Sequence, residues 1–287
     1  MKTAYKEFQE KFHQLVTERR DIIENTLSNI FTMRLIGNKT HGDLAEIGLE
    51  EFINQYMDGY KCVHVGKDRF RAKEHEEDIV VTDEHTNTEI SISLKAYGEG
   101  PLQLSTDKEF KMFPELRRRG VDITDPLEIK DILNGDAFTS LSQVNVMPLI
   151  YNENEKMCNI MVFDFEAMKR NTRRMLYVPE GKRYDDTTKT LVDGKGRSHP
   201  IYMFIDGDGH YICEVRYGDA AANALQRGFW THTVRASQYF KKLTGEDGIS
   251  YKHNLTLVKM FKLALNATHS GHEEVCRVLQ EDIKKCK

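Results

Sequence analysis

Hydrophobic and polar residues alternate with period two in two neighbouring segments, Asp78–Thr82 and Glu89–Tyr97. A polar stretch separates them, so the pattern predicts a β-hairpin. In the second strand Ser93 and Lys95 share one face, while Leu94 points to the other. Lysine is depleted in strands and rarely buried alone. Lys95 therefore either reaches solvent from the strand end or serves a function.

Helical spacing of apolar residues predicts one or two helices over residues 3–36 and a further helix from Thr40 to Met57. In that further helix, Glu46 lies at the edge of the apolar face. One interpretation is that Glu46 closes a capping box with Asp43. The other is that it points into a metal site.

The remaining pattern alternates between short apolar runs and helical segments. It predicts strands at 60–65, 160–165, 201–205 and 210–217, helices at 126–134, 254–266 and 272–286, a largely helical stretch at 220–242 with a break at Gly228, and a loop or loosely held strand at 95–108. The expected fold class is α/β, with a central mixed β-sheet flanked by helices.

Residues 178–199 contain few apolar side chains and predict a loop or lobe boundary. We expect residues 1–177 to hold the N-terminal helices and a catalytic core with the Asp78–Lys95 hairpin. Residues 178–287 would hold a second hairpin and closing helices, contact DNA and belong to the same globular unit.

Composition narrows the class of protein. The chain has 287 residues and a net charge of −4, so it has no global basic signature, although a local cleft can still be basic. Its five cysteines are scattered without a close pair, which favours free thiols and a reducing cytoplasm over a zinc site. The first residues lack an apolar signal core, and no apolar run reaches about 18 residues. We therefore expect a cytoplasmic protein without a membrane segment.

The hairpin carries residue types that phosphodiester hydrolysis requires. This reaction needs a divalent metal, a positioned water and stabilisation of the phosphate charge. Mg²⁺ prefers oxygen ligands and often takes only one or two carboxylates, with water and phosphate completing its shell. A nearby lysine can orient or help deprotonate the water. Asp78 and Lys95 on neighbouring strands meet this need, and Glu46 could add an oxygen from the helix.

A helix acid, a strand-opening aspartate and a strand lysine in this order resemble the PD-(D/E)xK nuclease superfamily, and more narrowly the type II restriction endonucleases. The resemblance covers roughly residues 40–110. It implies a restriction-endonuclease-like core in which Asp78 is the central metal ligand, Lys95 positions the water and Glu46 binds metal directly or through water. It also implies Mg²⁺ as cofactor and Leu94 as a further metal contact.

Ser93 stands where this family usually has Asp or Glu, two residues before the lysine. Glu46 is the preferred replacement for the missing acid, with Glu50 and Glu99 as further candidates. Ser93 itself is retained as a candidate catalytic residue.

The predicted partner is double-stranded DNA. A palindromic site favours a two-fold homodimer, and a cognate DNA methyltransferase would act on the same site. Candidate DNA contacts are the side chains of suitable chemistry outside the hairpin, namely Gln103, Ser105, Arg117, Arg118, Arg216, Asn223, Gln226, Arg227 and His232.

Several alternatives stay open. Asp206, Asp208, Glu214 and Arg216 form a second acidic pattern on another predicted hairpin, which the Asp-Gly dipeptides favour as a tight turn. The basic residues could also form an ordinary solvated face. At the level of function, the alternatives are a structure-specific or repair nuclease of the same fold, and a non-catalytic DNA-binding protein. No Gly-x-x-x-x-Gly-Lys-Ser/Thr loop occurs, which argues against NTP hydrolysis.

Overall fold

The computed structural model describes residues 4–36, 41–65, 77–138, 145–194, 199–217 and 226–264, with some positions between 273 and 284. The helices in this part of the chain are α1 (Ala4–Glu18), α2 (Arg20–Ile36), α3 (His41–Tyr56), α4 (Met112–Arg119), α5 (Pro126–Asn134), α6 (Phe165–Asn171) and α7 (Leu255–Ala264). Asp125 caps α5 by accepting a hydrogen bond from the backbone N–H of Leu127, with Pro126 in the first helical position.

The strands are β1 (Tyr60–His64), β2 (Ile79–Asp83), β3 (Thr88–Tyr97), β4 (Pro101–Thr106), β5 (Asp122–Ile123), β6 (Asn145–Asn152), β7 (Met157–Phe163), β8 (Arg174–Val178), β9 (Lys182–Asp185), β10 (Thr190–Asp193), β11 (Ile201–Ile205), β12 (Tyr211–Arg216), β13 (Gly228–His232), β14 (Phe240–Lys242) and β15 (Ile249–Ser250).

The first sheet has the order β1-β2-β3-β6-β7-β14, and β15 also pairs with β7. β3 and β6 run parallel, whereas β1–β2 and β2–β3 are antiparallel, so the sheet is mixed. Buried residues of α1, α2 and α3 pack against this sheet in one hydrophobic cluster. The predicted α/β class with a mixed central sheet flanked by helices is confirmed.

The second sheet has the order β4-β13-β12-β11-β8-β5 and is antiparallel throughout. It forms a second hydrophobic cluster with α4, α5 and α6. Its strands come from both sides of residue 178, because β8 pairs with β11 and β4 pairs with β13. β3 leads into β4 through a short turn, so one continuous segment joins the two sheets.

The predicted helix at 220–242 is wrong for its described part. Residues 228–232 form β13, and a 3₁₀ turn at Ser237–Tyr239 leads into β14. Gly228 has φ +129, and a side chain there would collide with the backbone of Ser105. After it, buried Phe229 and Thr231 alternate with less buried neighbours, which is the period of a strand.

The segment 95–108, predicted as a loop or a loosely held strand, contains the strand β4, which pairs with β13. Residues 178–199, predicted as a loop or lobe boundary, contain the two-stranded ribbon β9–β10. In the predicted helix at 272–286, the described positions 273, 274, 276–278, 280, 281 and 284 are helical, and the others lie outside the described residues. None of the helices in the described part of the chain is long and apolar enough to cross a membrane.

Candidate active site

The β2–β3 hairpin places Asp78 beside Ser93. Ile79 is paired with Ile92, and the backbone N–H of Asp78 donates to the carbonyl of Ile92 at 2.9 Å. Asp78 precedes Ile79, and Ser93 follows Ile92. The Ser93 hydroxyl donates to Asp78 Oδ2 at 3.1 Å, and the Leu94 N–H donates to the same oxygen at 2.7 Å. These two donors fix the orientation of the Asp78 carboxylate.

The ammonium of Lys95 lies on the same side of β3 as Ser93. Its Nζ is 3.9 Å from Asp78 Oδ2, and the two side chains are 29% and 25% exposed. This partial exposure allows solvent to weaken the attraction, while it leaves both groups accessible to a ligand. The predicted meeting of Asp78 and Lys95 is present in the structure.

The backbone of Leu94 also faces this site. The N–H and C=O groups of one strand residue point to the same neighbouring strand. Since the Leu94 N–H reaches Asp78, its carbonyl oxygen is directed to the same side, where β2 has not yet begun. The Leu94 side chain points away and is buried against the helices.

Glu46 is held on the helix side of the first sheet. Glu46 is 7% exposed, and its carboxylate accepts a 2.7 Å hydrogen bond from His64 Nε2, at the end of β1. Cys62, two residues before His64, belongs to the cluster under α1–α3, and so does Ile79. Strand alternation therefore places His64 with the helices and Asp78, the neighbour of Ile79, on the opposite face. Glu46, His64 and Asp78 do not bring their ligand atoms within 4.8 Å of one another.

His64 is not among the predicted site residues. Its signal was the alternation of β1, in which Tyr60 and Cys62 are buried and His64 follows on the same face. That pattern places the imidazole next to the helices, but it does not indicate that Glu46 accepts its hydrogen bond.

Glu50 and Glu99 are the further candidates for the missing acid. In the described part of the chain, no contact of either residue with Asp78 is found. Glu50 lies near Cys62, where burial, aided by this acid, raises the pKa of the Cys62 thiol to about 12. Glu99 lies beyond the far end of β3 and lines an open groove with Tyr151 and Asn152.

Among the described residues, one group of three acidic or histidine side chains has all its ligand atoms within 4.8 Å: Asp206, Asp208 and His210. It occupies the turn between β11 and β12. Asp206 Oδ1 accepts the backbone N–H groups of Asp208 at 3.0 Å and His210 at 2.8 Å, and Oδ2 accepts the Tyr239 hydroxyl at 3.1 Å. The group could hold a metal, but Asp206 already serves the turn, as its Asp-Gly sequence indicates.

Most predicted DNA contacts have structural neighbours. Arg118 forms a two-nitrogen ion pair with Glu115 on α4, and the Arg117 guanidinium lies 4.5 Å from the centre of the Tyr177 ring. The Arg227 guanidinium lies 5.2 Å from the Phe110 ring centre. These contacts favour a packed or solvated face for the three arginines.

Two more predicted contacts are constrained by the backbone. Ser105 is only 8% exposed, and the His232 ring accepts the backbone N–H groups of Val234 and Arg235 through Nδ1 at 3.3 and 3.4 Å. Asn223 lies outside the described residues.

Arg216 and Gln103, far apart in sequence, are brought near each other by β13. Trp230 of this strand pairs with Glu214 on one side and with Gln103 on the other. The Arg216 Nε donates to the Glu214 carboxylate, and its guanidinium lies 4.3 Å from the Trp230 ring centre. Gln226 contributes its carbonyl oxygen, which accepts the indole N–H of Trp230 at 3.1 Å.

Comparison with known proteins gives no independent assignment, since no family model, curated protein or solved structure matches the chain.

Proposed function

We propose that the protein is a Mg²⁺-dependent, sequence-specific DNA endonuclease of the type II restriction kind, with Asp78 and Lys95 in its active site. The observation that carries the proposal is their convergence on neighbouring strands, with Ser93 and the Leu94 N–H orienting the carboxylate.

The topology around the pair supports the same proposal. The acid-bearing helix α3 is followed by the antiparallel strands β1, β2 and β3, and the chain later returns as β6 parallel to β3. Glu46, Asp78 and Lys95 thus occur on a helix, before a strand and on the next strand, in the order that the resemblance implies. We propose a restriction-endonuclease-like core on this basis.

The donor set at Asp78 fits Mg²⁺. In the described part of the chain, the hydrogen bonds and the ion pair of this carboxylate all fall on Oδ2, so Oδ1 would be the oxygen that takes a ligand. Asp78 Oδ1 and the Leu94 carbonyl would supply two hard oxygen ligands, and Mg²⁺ commonly keeps several waters and a substrate phosphate as the rest. A bound Mg²⁺ would polarise the phosphate and lower the pKa of a bound water.

Each residue of the hairpin then has a defined role. Lys95 would orient the attacking water and balance negative charge that develops on the phosphate. Ser93 holds Asp78 in place, which is the role of a positioning residue. Glu46, hydrogen-bonded to His64 on the opposite face of the sheet, would support the site from the helix side.

The substrate would be double-stranded DNA in the cytoplasm. A palindromic recognition site would be bound by a two-fold homodimer, because protein and site symmetry match. A cognate methyltransferase would protect the same sequence in the host DNA.

The test is digestion of unmethylated phage DNA with and without Mg²⁺, followed by sequencing of the fragment ends. We expect discrete fragments that EDTA abolishes. Lys95→Ala should reduce the rate at least 100-fold, consistent with loss of a proton-transfer or charge-stabilising group. Lys61→Ala is the matched control, because Lys61 is an exposed lysine on β1 of the same sheet.

Three results would contradict the proposal. Cleavage confined to flaps, nicks or mismatches would indicate a structure-specific nuclease instead. DNA binding without cleavage under Mg²⁺ or Mn²⁺ would indicate a non-catalytic binding protein. Wild-type rates in Lys95→Ala would place the active site elsewhere.

A further inference from the structure

The guanidinium of Arg216 is held in one orientation by two neighbours on the second sheet. Its Nε donates to Glu214, which is only 1% exposed, and its central carbon lies over the indole of Trp230, 4.3 Å from the ring centre. The indole is itself fixed by its hydrogen bond to the Gln226 carbonyl. Arg216 therefore loses little further side-chain freedom when a ligand binds.

The two terminal nitrogens of this guanidinium are the donors that Glu214 does not occupy. Glu214 contacts Nε, the Arg216 side chain is 18% exposed, and among the described residues no hydrogen bond donated by the terminal nitrogens is found. Arg235 differs, because Asp186 accepts hydrogen bonds from both its Nε and its Nη2 while its guanidinium lies over Tyr211. Each arginine has its own carboxylate partner and its own aromatic ring, but in Arg216 the two terminal nitrogens remain as a fork of donors for a ligand.

Such a fork matches two acceptors in one plane. Guanine O6 and N7 in the major groove are such a pair, and so are two oxygens of a phosphate. A phosphate contact does not require a buried carboxylate and an indole to fix the plane, since lysine binds phosphate as a point charge. The enforced plane favours the base edge.

We infer that Arg216 reads a guanine of the target sequence through bidentate hydrogen bonds to O6 and N7, with Glu214 and Trp230 as its positioning residues. The inference rests on the proposed function and adds a required G·C pair to the recognition site. Lys95 on β3 and Gln103 on β4 are joined by a short segment that spans at most about 29 Å when extended. Gln103 pairs with Trp230, whose ring lies beside Arg216, so chain connectivity limits the separation between Arg216 and the proposed active site.

The test separates recognition from cleavage. Wild-type protein, Arg216→Lys and Arg235→Lys are each incubated with a random-sequence duplex library in Ca²⁺, and the bound sequences are determined. We expect the wild type and Arg235→Lys to select a fixed guanine that Arg216→Lys no longer selects, with a loss of about 5- to 150-fold in discrimination. Lysine keeps a positive charge beside Glu214, and thermal melting of each variant verifies the fold.

A modified duplex tests the contact itself. Replacement of the selected guanine by 7-deazaguanine removes N7 and should weaken wild-type binding without changing binding by Arg216→Lys. If Arg216→Lys keeps the guanine preference and the salt dependence of the wild type, because lysine also binds phosphate, Arg216 contacts phosphate and the inference is wrong. If the wild type selects and cleaves a site whose base preferences Arg216→Lys leaves unchanged, the inference fails and the proposed function stands. If the wild type neither binds nor cleaves duplex DNA, both fail.

Discussion

The imidazole of His64 donates a 2.7 Å hydrogen bond from Nε2 to the carboxylate of Glu46, and so ties the end of β1 to α3. The carboxylate is nearly buried, whereas about a quarter of the imidazole is exposed. The pair lies on the face of the first sheet opposite Asp78.

His64→Ala should lower the free energy of unfolding by about 1.5–3 kcal/mol, because a buried carboxylate loses a hydrogen-bond donor. Urea denaturation measures this change. His210→Ala, which removes a half-exposed imidazole from the β11–β12 turn, serves as the control and should change stability less. An unchanged free energy of unfolding in His64→Ala would show that the pair contributes nothing to the fold.

Ser93→Ala should reduce the rate of DNA cleavage by about tenfold, because one hydrogen bond of about 1–1.5 kcal/mol to Asp78 is lost while the Leu94 N–H remains. Lys95→Ala should have a much larger effect. Single-turnover cleavage under saturating Mg²⁺ measures both rates. Equal losses in the two variants would mean that Ser93 takes part in the chemistry beyond orienting Asp78.

Asp78→Asn should abolish cleavage, whereas Asp206→Asn should lower stability and leave the Mg²⁺ dependence of the rate unchanged. The reason is that Asp206 accepts two backbone N–H groups of its own turn and the Tyr239 hydroxyl. Mg²⁺ titrations of the cleavage rate test this contrast, with melting curves as the control for folding. The reverse result would place the metal site at the β11–β12 turn.

The stability of the protein should fall as the pH drops below about 6.5, in part because of His232. Burial and then the positive charge of Arg235 lower the pKa of this imidazole from 6.5, and its Nδ1 accepts two backbone N–H groups. Below pH 6.5 the unfolded chain binds a proton at His232 more readily than the folded chain does. The stability that neutral His232 contributes above pH 6.5 is therefore lost as the pH falls through the folded pKa.

His232→Gln should flatten this part of the curve when the free energy of unfolding is measured between pH 8 and pH 5. His253 shows the same direction, since burial lowers its pKa as well. His253→Gln should therefore flatten the curve too, and the double variant more than either. If the free energy of unfolding depends on pH in both single variants as it does in the wild type, this account is wrong.

The sequence was most informative where the pattern was local. The strands of the hairpin around Asp78 follow from period-two alternation, and α5 follows from the Asp125-Pro126 start. The meeting of Asp78 and Lys95 could be predicted because a short hairpin fixes which residues face each other.

Interactions between distant segments could not be predicted in this way. The Glu46–His64 pair joins a helix to a strand, and no periodicity specifies such a partner. β13 was mistaken for part of a helix because its strand character depends on close packing of Gly228 against β4. The cluster around Arg216 was missed for the same reason, since it needs Trp230 on a strand beside Glu214.

The parallel pairing of β3 with β6 has a consequence for how the chain folds. Parallel neighbours require a long crossover, and here the chain leaves the first sheet after β3, gives β4 and β5 to the second sheet, and then returns as β6. β4 finds its partner β13 only after most of the chain has been made. Pairing over such sequence separations slows folding, so a nascent chain that ends at residue 177 would carry β4 without its partner and expose an unpaired edge prone to association.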